Sequence, residues 1–486
     1  MRKRVVLFRT DGNSLIGYGH AMRMLALAGI LESDFDICFV IKDTIEWLAL
    51  EIEKQYSIIQ IPVDSNTYNE TGYITEHIPA SSVLIILDGY SFDTSYQQRI
   101  REKLKMKVIS IDDFQPFKYV ADVVINHAGF LKAEQFNKEE YTKLLLGPEY
   151  ALLRREFNHI AGSNGKEISK AETAFLCSGG TWHNIYIQIV KDLIQKGIKR
   201  LLIVENNFQN TIKLKSISRS VELYSNLQAK DIIDLMVQSD FAVLPASTLC
   251  YEYCSVSGGL FIIQTAENQK FIFDFIKQTG CGFDYKDFDS VFDSSDLIVK
   301  FNKQVGKQRE YFDGRNQSVL QKEIFQAAFY DKIELKRATQ KDLMLHYEWS
   351  NDEDTRQNSF NKEPISLETH TLWYNSRLRN SASALYVLWA DDVPFGNIRF
   401  DFTGAEAVLS YSIDKNYRGK GLGSILLKEG IRKVMHEYSD IKVINGFVQK
   451  NNYASMNSFS KAGFKINTDT PSHFENYNYY SLNIMR

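Results

Sequence analysis

The feature that most constrains this chain is a repeated alternation of strand and helix. Strand-length apolar runs at Val5–Phe8, Ile37–Ile41, Val83–Leu87, Val108–Ile111 and Val123–Ile125 are separated by helical stretches. Strands interleaved with helices predict a parallel sheet with crossover helices on its faces. A polar, glycine-containing stretch over 158–171 then reads as a linker. The alternation resumes at Ala174–Cys177, Arg200–Val204, Val221–Tyr224, Phe241–Leu244 and Leu260–Ile263. Two such halves about a hinge predict two Rossmann-like lobes with a site in the cleft.

The pattern changes after Val305–Asp331, a polar helical stretch that reads as a closing helix plus connector. A strand at Ile333–Arg337 and helices to about Arg379 come first. Strands at Ala384–Ala390, Asn397–Asp401 and Val408–Ile413 follow, then a helix over Gly421–Glu437. A strand at Val443–Val448, a helix at Ala454–Ala462 and a strand at Tyr479–Met485 close the chain. This predicts an α+β module with a mostly antiparallel sheet. The expected divisions are 1–160, 168–325 and 332–486, and 486 residues suit about three domains.

Composition excludes several classes. A net charge of −3 with mixed signs gives no electrostatic case for nucleic acid or an anionic membrane. The apolar runs fall far short of the ~20 residues of a membrane span, and no secretory leader is evident. Five scattered cysteines, Cys38, Cys177, Cys250, Cys254 and Cys281, suit reduced thiols in a cytoplasmic protein. No His/Cys/carboxylate cluster has metal-ligand spacing, so no metal is expected. The oligomeric state is left open.

Chemistry enters at Gly17-Tyr18-Gly19-His20, between the first strand and the first helix. Glycines in such a turn let backbone N–H groups approach a phosphate. Here an imidazole stands at the mouth of the helix, which suggests chemistry on a nucleotide-linked substrate. Arg9-x-Asp11, the turn, and Arg23 resemble the UDP-sugar hydrolases of pseudaminic acid synthesis, which are similar in fold to the two-lobed GT-B glycosyltransferases. The resemblance continues at Asp88-Gly89-Tyr90-x-x-Asp93, Ile111-Asp112-Asp113 and Gly147-Pro148-x-Tyr150-Ala151-Leu152-Leu153-Arg154-x-x-Phe157. It returns at Ser178-Gly179-Gly180, Ser247-Thr248-x-x-x-Glu252 and Glu267-Asn268-Gln269.

The resemblance implies that His20 is the catalytic base, assisted by Tyr90 and Asn268. A neutral imidazole can take a proton from water at physiological pH. Asp11, Gly17 and Gly19 are expected at the substrate. Glu252 would accept from the ribose hydroxyls, and Ser247 and Thr248 at a helix start would bind the diphosphate. Asp11 and Asp88 also suit turns.

In the third module, Tyr411-Ser412-Ile413-Asp414-x-x-Tyr417-Arg418-Gly419-Lys420-Gly421-Leu422-Gly423-Ser424 resembles the pyrophosphate loop of the GNAT family of N-acetyltransferases. Acetyl-CoA is the implied co-substrate, held by Arg418, Gly419, Gly421, Gly423, Ser424 and Asn452. Phe459 stands where the family often has a tyrosine that protonates the departing thiolate. A phenylalanine cannot, so it is read as packing. Trp349, Asn351 and Arg356 resemble the acceptor side of acetyltransferases that act on nucleotide-linked amino sugars. Glu406 is a candidate for deprotonating the acceptor amine through water.

Together these resemblances imply one bifunctional enzyme. It would N-acetylate a UDP-4-amino-4,6-dideoxy sugar and then release UDP hydrolytically from UDP-2,4-diacetamido-2,4,6-trideoxy-β-L-altrose. Three alternatives stay open at this level: a GT-B glycosyltransferase, an acyltransferase for protein amines, and lobes that only bind UDP-sugar.

Overall fold

The apolar runs become strands whose two faces are covered by helices. A computed structural model describes residues 3–13, 15–113, 116–161, 166–178, 184–467 and 476–484. The chain divides into two compact units, Met1–Gln321 and Lys322–Arg486, with the division inside the helix Asn316–Phe329. The two lobes together make up the first unit.

The first lobe contains β1 (Arg4–Thr10), β2 (Phe35–Ile41), β3 (Ser57–Gln60), β4 (Ser82–Asp88), β5 (Lys107–Ile111), β6 (Val123–Asn126) and β7 (Lys143–Leu146). They are parallel, in the order β3-β2-β1-β4-β5-β6-β7. The second lobe contains β8 (Thr173–Cys177), β9 (Arg200–Val204), β10 (Val221–Tyr224), β11 (Phe241–Pro245), β12 (Gly259–Ile263) and β13 (Phe283–Asp284). Its order is β10-β9-β8-β11-β12-β13, again parallel. In each lobe the order reverses beside the first strand, so the crevice opens at the carboxyl ends of β1 and β4, and of β8 and β11. Leu7, Phe8, Ile85 and Ile86 are fully buried, as strands covered on both faces require.

The lobes share a core. Ala151, Leu153 and Phe157 from the end of the first half pack in one cluster with Phe175, Leu244 and Ile262 of the second sheet. The helix Arg155–Ile160 occupies the start of the stretch read as linker, because Phe157 supplies that cluster with an anchor.

The second unit holds β14 (Ile333–Arg337), β15 (Ser383–Ala390), β16 (Val393–Thr403), β17 (Glu406–Ile413), β18 (Val443–Gln449), β19 (Lys465–Asn467) and β20 (Tyr477–Asn483). The order is β14-β15-β16-β17-β18-β20-β19, antiparallel except for β17 with β18. That parallel pairing stops at Leu409↔Gly446, although both strands run on. Beyond it their facing edges separate.

The expected fold class holds in each part. The strands absent from the sequence reading are β3, β7, β13 and β19, all at sheet edges. The expected extension of the last strand to Met485 and the glycines of Ser178-Gly179-Gly180 lie outside the described residues.

Candidate active sites

In the first unit, the site grows from the carboxyl ends of β1, β4, β5 and β6 on one lobe, and of β11 and β12 on the other. Asn13 builds the turn after β1: its side-chain oxygen accepts from the backbone N–H of Leu15 and Ile16 at 2.8 and 3.0 Å. Gly17 closes it with φ of 79°, a conformation that favours glycine. The helix Gly19–Leu31 then starts with Gly19 and presents His20, 6% exposed, over the end of β4.

Asp88 ends β4, in register with Thr10. His20 Nδ1 lies 2.7 Å from Asp88 Oδ1. Arg23 Nη2 lies 3.0 Å from the same nitrogen; a proton on Nδ1 would be donated to the carboxylate, which only accepts, and would leave Nε2 its lone pair. Arg23, one turn along the same helix, donates from Nε and Nη2 to the two oxygens of Asp88, both at 2.6 Å. Its Nη1 donates to Asp113 Oδ1 at 2.5 Å. Burial opposes ionisation of Asp113, but Arg23 overrides it and holds the carboxyl below its ordinary range. Asp88, read from sequence as suiting a turn, is thus the buried orienter of His20.

The three expected catalytic side chains come together. The Tyr90 ring meets the His20 ring edge-on, centroids 4.6 Å apart. The side chain of Asn268, from the second lobe, reaches the neighbourhood of the Tyr90 hydroxyl, where it favours ionisation. Burial, then the charge of Asp113, raise the Tyr90 hydroxyl pKa, against the pull of Arg23 and Asn268, so it stays protonated. Ser247 caps the helix Thr248–Val256 without a side-chain bond to its backbone.

Two expected substrate contacts are committed elsewhere. Asp11 Oδ2 accepts from Arg9 at 2.7 Å, and its Oδ1 accepts from the backbone N–H of Lys42 and Asp43 at 2.6 and 3.0 Å. It clamps the end of β1 to the end of β2. Glu252 accepts from Arg154 Nε and Nη2, both at 2.7 Å, and is 5% exposed. Both its oxygens are used as a brace between the first lobe's end and the helix Thr248–Val256. A sequence motif cannot show that a carboxylate's partner lies 98 residues away.

One residue was missed. His127 directly follows β6 and is buried, with Nε2 3.5 Å from Thr248 Oγ1. Its signal was available: a lone histidine just past the carboxyl end of an apolar strand.

In the second unit, the site lies where β17 and β18 part. Gly419 and Gly421 have φ of 78° and 82°, and Gly421 caps the helix Leu422–Glu437. Ser424 Oγ donates to Gly421 O at 3.0 Å, and Gly423 packs against Ser458. Arg418 is held by Asp352 and by Asp354, the latter at 2.7 Å. Asn452 caps the helix Tyr453–Lys461 by accepting from Ser455 N–H at 3.0 Å, and donates to Asn358 at 2.9 Å. The free edge of β17, the glycine turn and two helix starts together suit an extended thioester with an anionic diphosphate.

The expected acceptor residues shape the loop before the helix Leu367–Arg379. Asn351 pairs with both backbone groups of Ile365, at 2.7 and 3.1 Å. Arg356 donates to the carbonyl of Asn361 at 3.1 Å and to Ser359 Oγ at 2.9 Å. Trp349 is buried and donates to Asp414 Oδ2 at 2.8 Å, so it packs. Glu406 is corrected: it pairs opposite Val443 at the closed end of β17. About 3.3 Å per residue puts it well over 10 Å from the parted segment. Phe459 packs as expected, buried beside Phe464 and Tyr480.

Among the described residues no group of three or more His, Cys, Asp or Glu is placed to hold a metal ion, and no helix is long and apolar enough to cross a membrane. No disulfide joins the five cysteines.

Residues 344–464 match the family model for acetyltransferases of the GNAT family. Over 305 residues, 58% of this chain and 99% of the relative, the sequence is 25% identical to the UDP-2,4-diacetamido-2,4,6-trideoxy-beta-L-altropyranose hydrolase of Campylobacter jejuni. It is 23% identical to an uncharacterized protein, MJ1062, of Methanocaldococcus jannaschii, over 76% of this chain and 77% of that one. A spermidine N-acetyltransferase from Vibrio cholerae, solved with CoA and spermine, is 15% identical over 32% of this chain and 96% of its own, with a TM-score of 0.29. The chain therefore joins a GNAT acetyltransferase domain to an amino-terminal portion similar to a UDP-sugar hydrolase.

Proposed function

We propose that the first unit hydrolyses a UDP-linked diacetamido-trideoxy sugar, and that the second acetylates the amino group of its UDP-linked precursor with acetyl-CoA. The observation that carries the hydrolase reading is the His20–Asp88 pair, met by Tyr90 and by Asn268 of the other lobe. With the proton on Nδ1, facing Asp88, Nε2 accepts the proton of a water attacking the anomeric carbon. The C1–O bond breaks and its electron pair leaves with UDP. UDP is a good leaving group, so the burden falls on water activation and charge stabilisation. Tyr90 and Asn268 orient the water or a sugar substituent, and Ser247 and Thr248 take the diphosphate.

In the second unit, the neutral acceptor amine attacks the thioester carbonyl of acetyl-CoA. An amide bond forms, the C–S bond breaks, and CoA leaves as thiolate, which takes up the proton lost by the amine. The parted edge of β17 would hold the pantetheine arm, and the turn through Gly421 the diphosphate. The two reactions in sequence fit a place in nonulosonic acid synthesis in the cytoplasm.

The test is release of UDP by the full chain from the UDP-diacetamido sugar in ¹⁸O-labelled water, with no acceptor added. The reading expects equimolar UDP and free sugar, with no label in UDP. Turnover only when a sugar or lipid acceptor is added would instead support a glycosyltransferase. UDP release unchanged in His20→Ala would remove the catalytic assignment.

A further inference from the structure

One imidazole in the cleft has no part in water activation. His127 is 6% exposed and faces the second lobe. Its Nε2 lies 3.5 Å from Thr248 Oγ1, and its ring meets Tyr251 edge-on at 5.8 Å. Both partners belong to the helix Thr248–Val256, whose cap, Ser247, makes no side-chain bond to the helix backbone. The chain is fixed there by close packing. A Cβ on Gly129 would lie 2.1 Å from Phe275 Cδ2, so the first lobe's backbone presses directly on the second lobe. Phe130 adds a ring contact to Phe275 at 5.4 Å.

The charged groups that act on His127 are Arg23, from the first helix, and Asp113 and Asp88, from the ends of β5 and β4. Among the described residues of the second lobe it meets the uncharged Thr248 and Tyr251. Burial, then Arg23, push its pKa down to about 4, against the two carboxylates. The ring is neutral at pH 7 and offers one N–H and one lone pair.

We propose that His127 is a leaving-group residue, whose ring N–H hydrogen-bonds to the departing diphosphate beside Thr248 while His20 serves the attacking water. Displacement at an anomeric carbon places the attacking water and the leaving oxygen on opposite faces, and each face gains from a positioned polar group. The proposal assigns His20 to the water's face and Thr248 to the leaving group's, and His127 stands with Thr248. The C1–O bond breaks with its electron pair going to the diphosphate oxygen. The new C1–O bond comes from water, whose proton goes to His20. His127 donates a hydrogen bond and transfers no proton.

This inference rests on the hydrolase reading, and the experiment separates the two. UDP release by the full chain is measured for wild type, His20→Ala, His127→Ala and His127→Gln, with acetyl transfer to a UDP-amino sugar as the folding control. His127→Ala is expected to lower kcat by about 10²-fold, the scale of losing one oxyanion donor, with KM within threefold. His127→Gln, which keeps an N–H donor, and added imidazole should each recover part of the loss. A kcat within twofold of wild type in His127→Ala, or a rise in KM alone, overturns the proposal. So does a His127→Ala loss that neither glutamine nor imidazole relieves. Absence of UDP release by wild type, or an equal rate in His20→Ala, overturns the hydrolase reading itself.

Discussion

His20 Nδ1 stands 2.7 Å from Asp88 Oδ1, with Asp88 fully buried and fixed by two further bonds from Arg23. Arg23 Nη2 also lies 3.0 Å from Nδ1, so the carboxylate that accepts and the guanidinium that donates meet at one ring nitrogen. Asp88→Asn would replace the acceptor with an amide able to donate to Nδ1, so the proton would shift to Nε2. We expect kcat for UDP release to fall by roughly 10²–10⁴-fold with KM little changed, by analogy with the loss when a triad aspartate becomes asparagine. Acetyl transfer by the same variant should be unchanged.

The Arg154–Glu252 pair predicts a stability effect. Glu252 is 7% exposed and Arg154 22% exposed in their side chains. Glu252→Gln leaves the half-buried guanidinium without its counter-charge, which costs about 1–3 kcal/mol. Urea unfolding of the first unit should show this loss. The double variant Arg154→Met with Glu252→Leu should recover much of it, because it leaves no charge unpaired.

Gly421 offers an independent handle on the second unit. At φ of 82°, a valine there is strained and crowds Gln326 and Lys322. A strain of about 1–3 kcal/mol at the turn, if felt wholly in binding, converts to roughly 5- to 150-fold in the KM for acetyl-CoA. Steady-state acetylation should show that rise, and UDP release should stay at the wild-type rate.

His346 sets a pH dependence. Burial, then His370 and Arg399, push its pKa from 6.5 to about 3. The unfolded chain takes up this proton near 6.5 and the folded chain only near 3. Between those values the unfolded state binds more protons, so stability is full above 6.5 and falls as pH falls towards 3. Urea midpoints of the second unit should decline from pH 7 to pH 4. His346→Gln should flatten that decline.

The sequence showed the central strands and hid the edges. Val83–Leu87 and Val243–Leu244 lie in strands buried on both faces, so they read as unbroken apolar runs. Ser57–Gln60, Phe283–Asp284 and Lys465–Asn467 are edge strands with one partner each, and neither length nor hydrophobicity marks them. The same division holds at the sites. His20, Tyr90 and Asn268 were named through the resemblance to the UDP-sugar hydrolases; each follows the carboxyl end of a strand, and the fold brings strand ends together. The commitment of Glu252 to Arg154 and the seat of His127 beside Thr248 depend on how the lobes close, which spacing along the chain does not encode.

The central claim is that one chain acetylates a UDP-linked amino sugar and then frees the product from UDP. Its most direct test is NMR of the purified full chain with the UDP-4-amino-4,6-dideoxy sugar, with and without acetyl-CoA. The account predicts an N-acetylated free sugar, UDP and CoA in equal amounts when acetyl-CoA is present. Acetylated UDP-sugar that accumulates with no UDP released would contradict it.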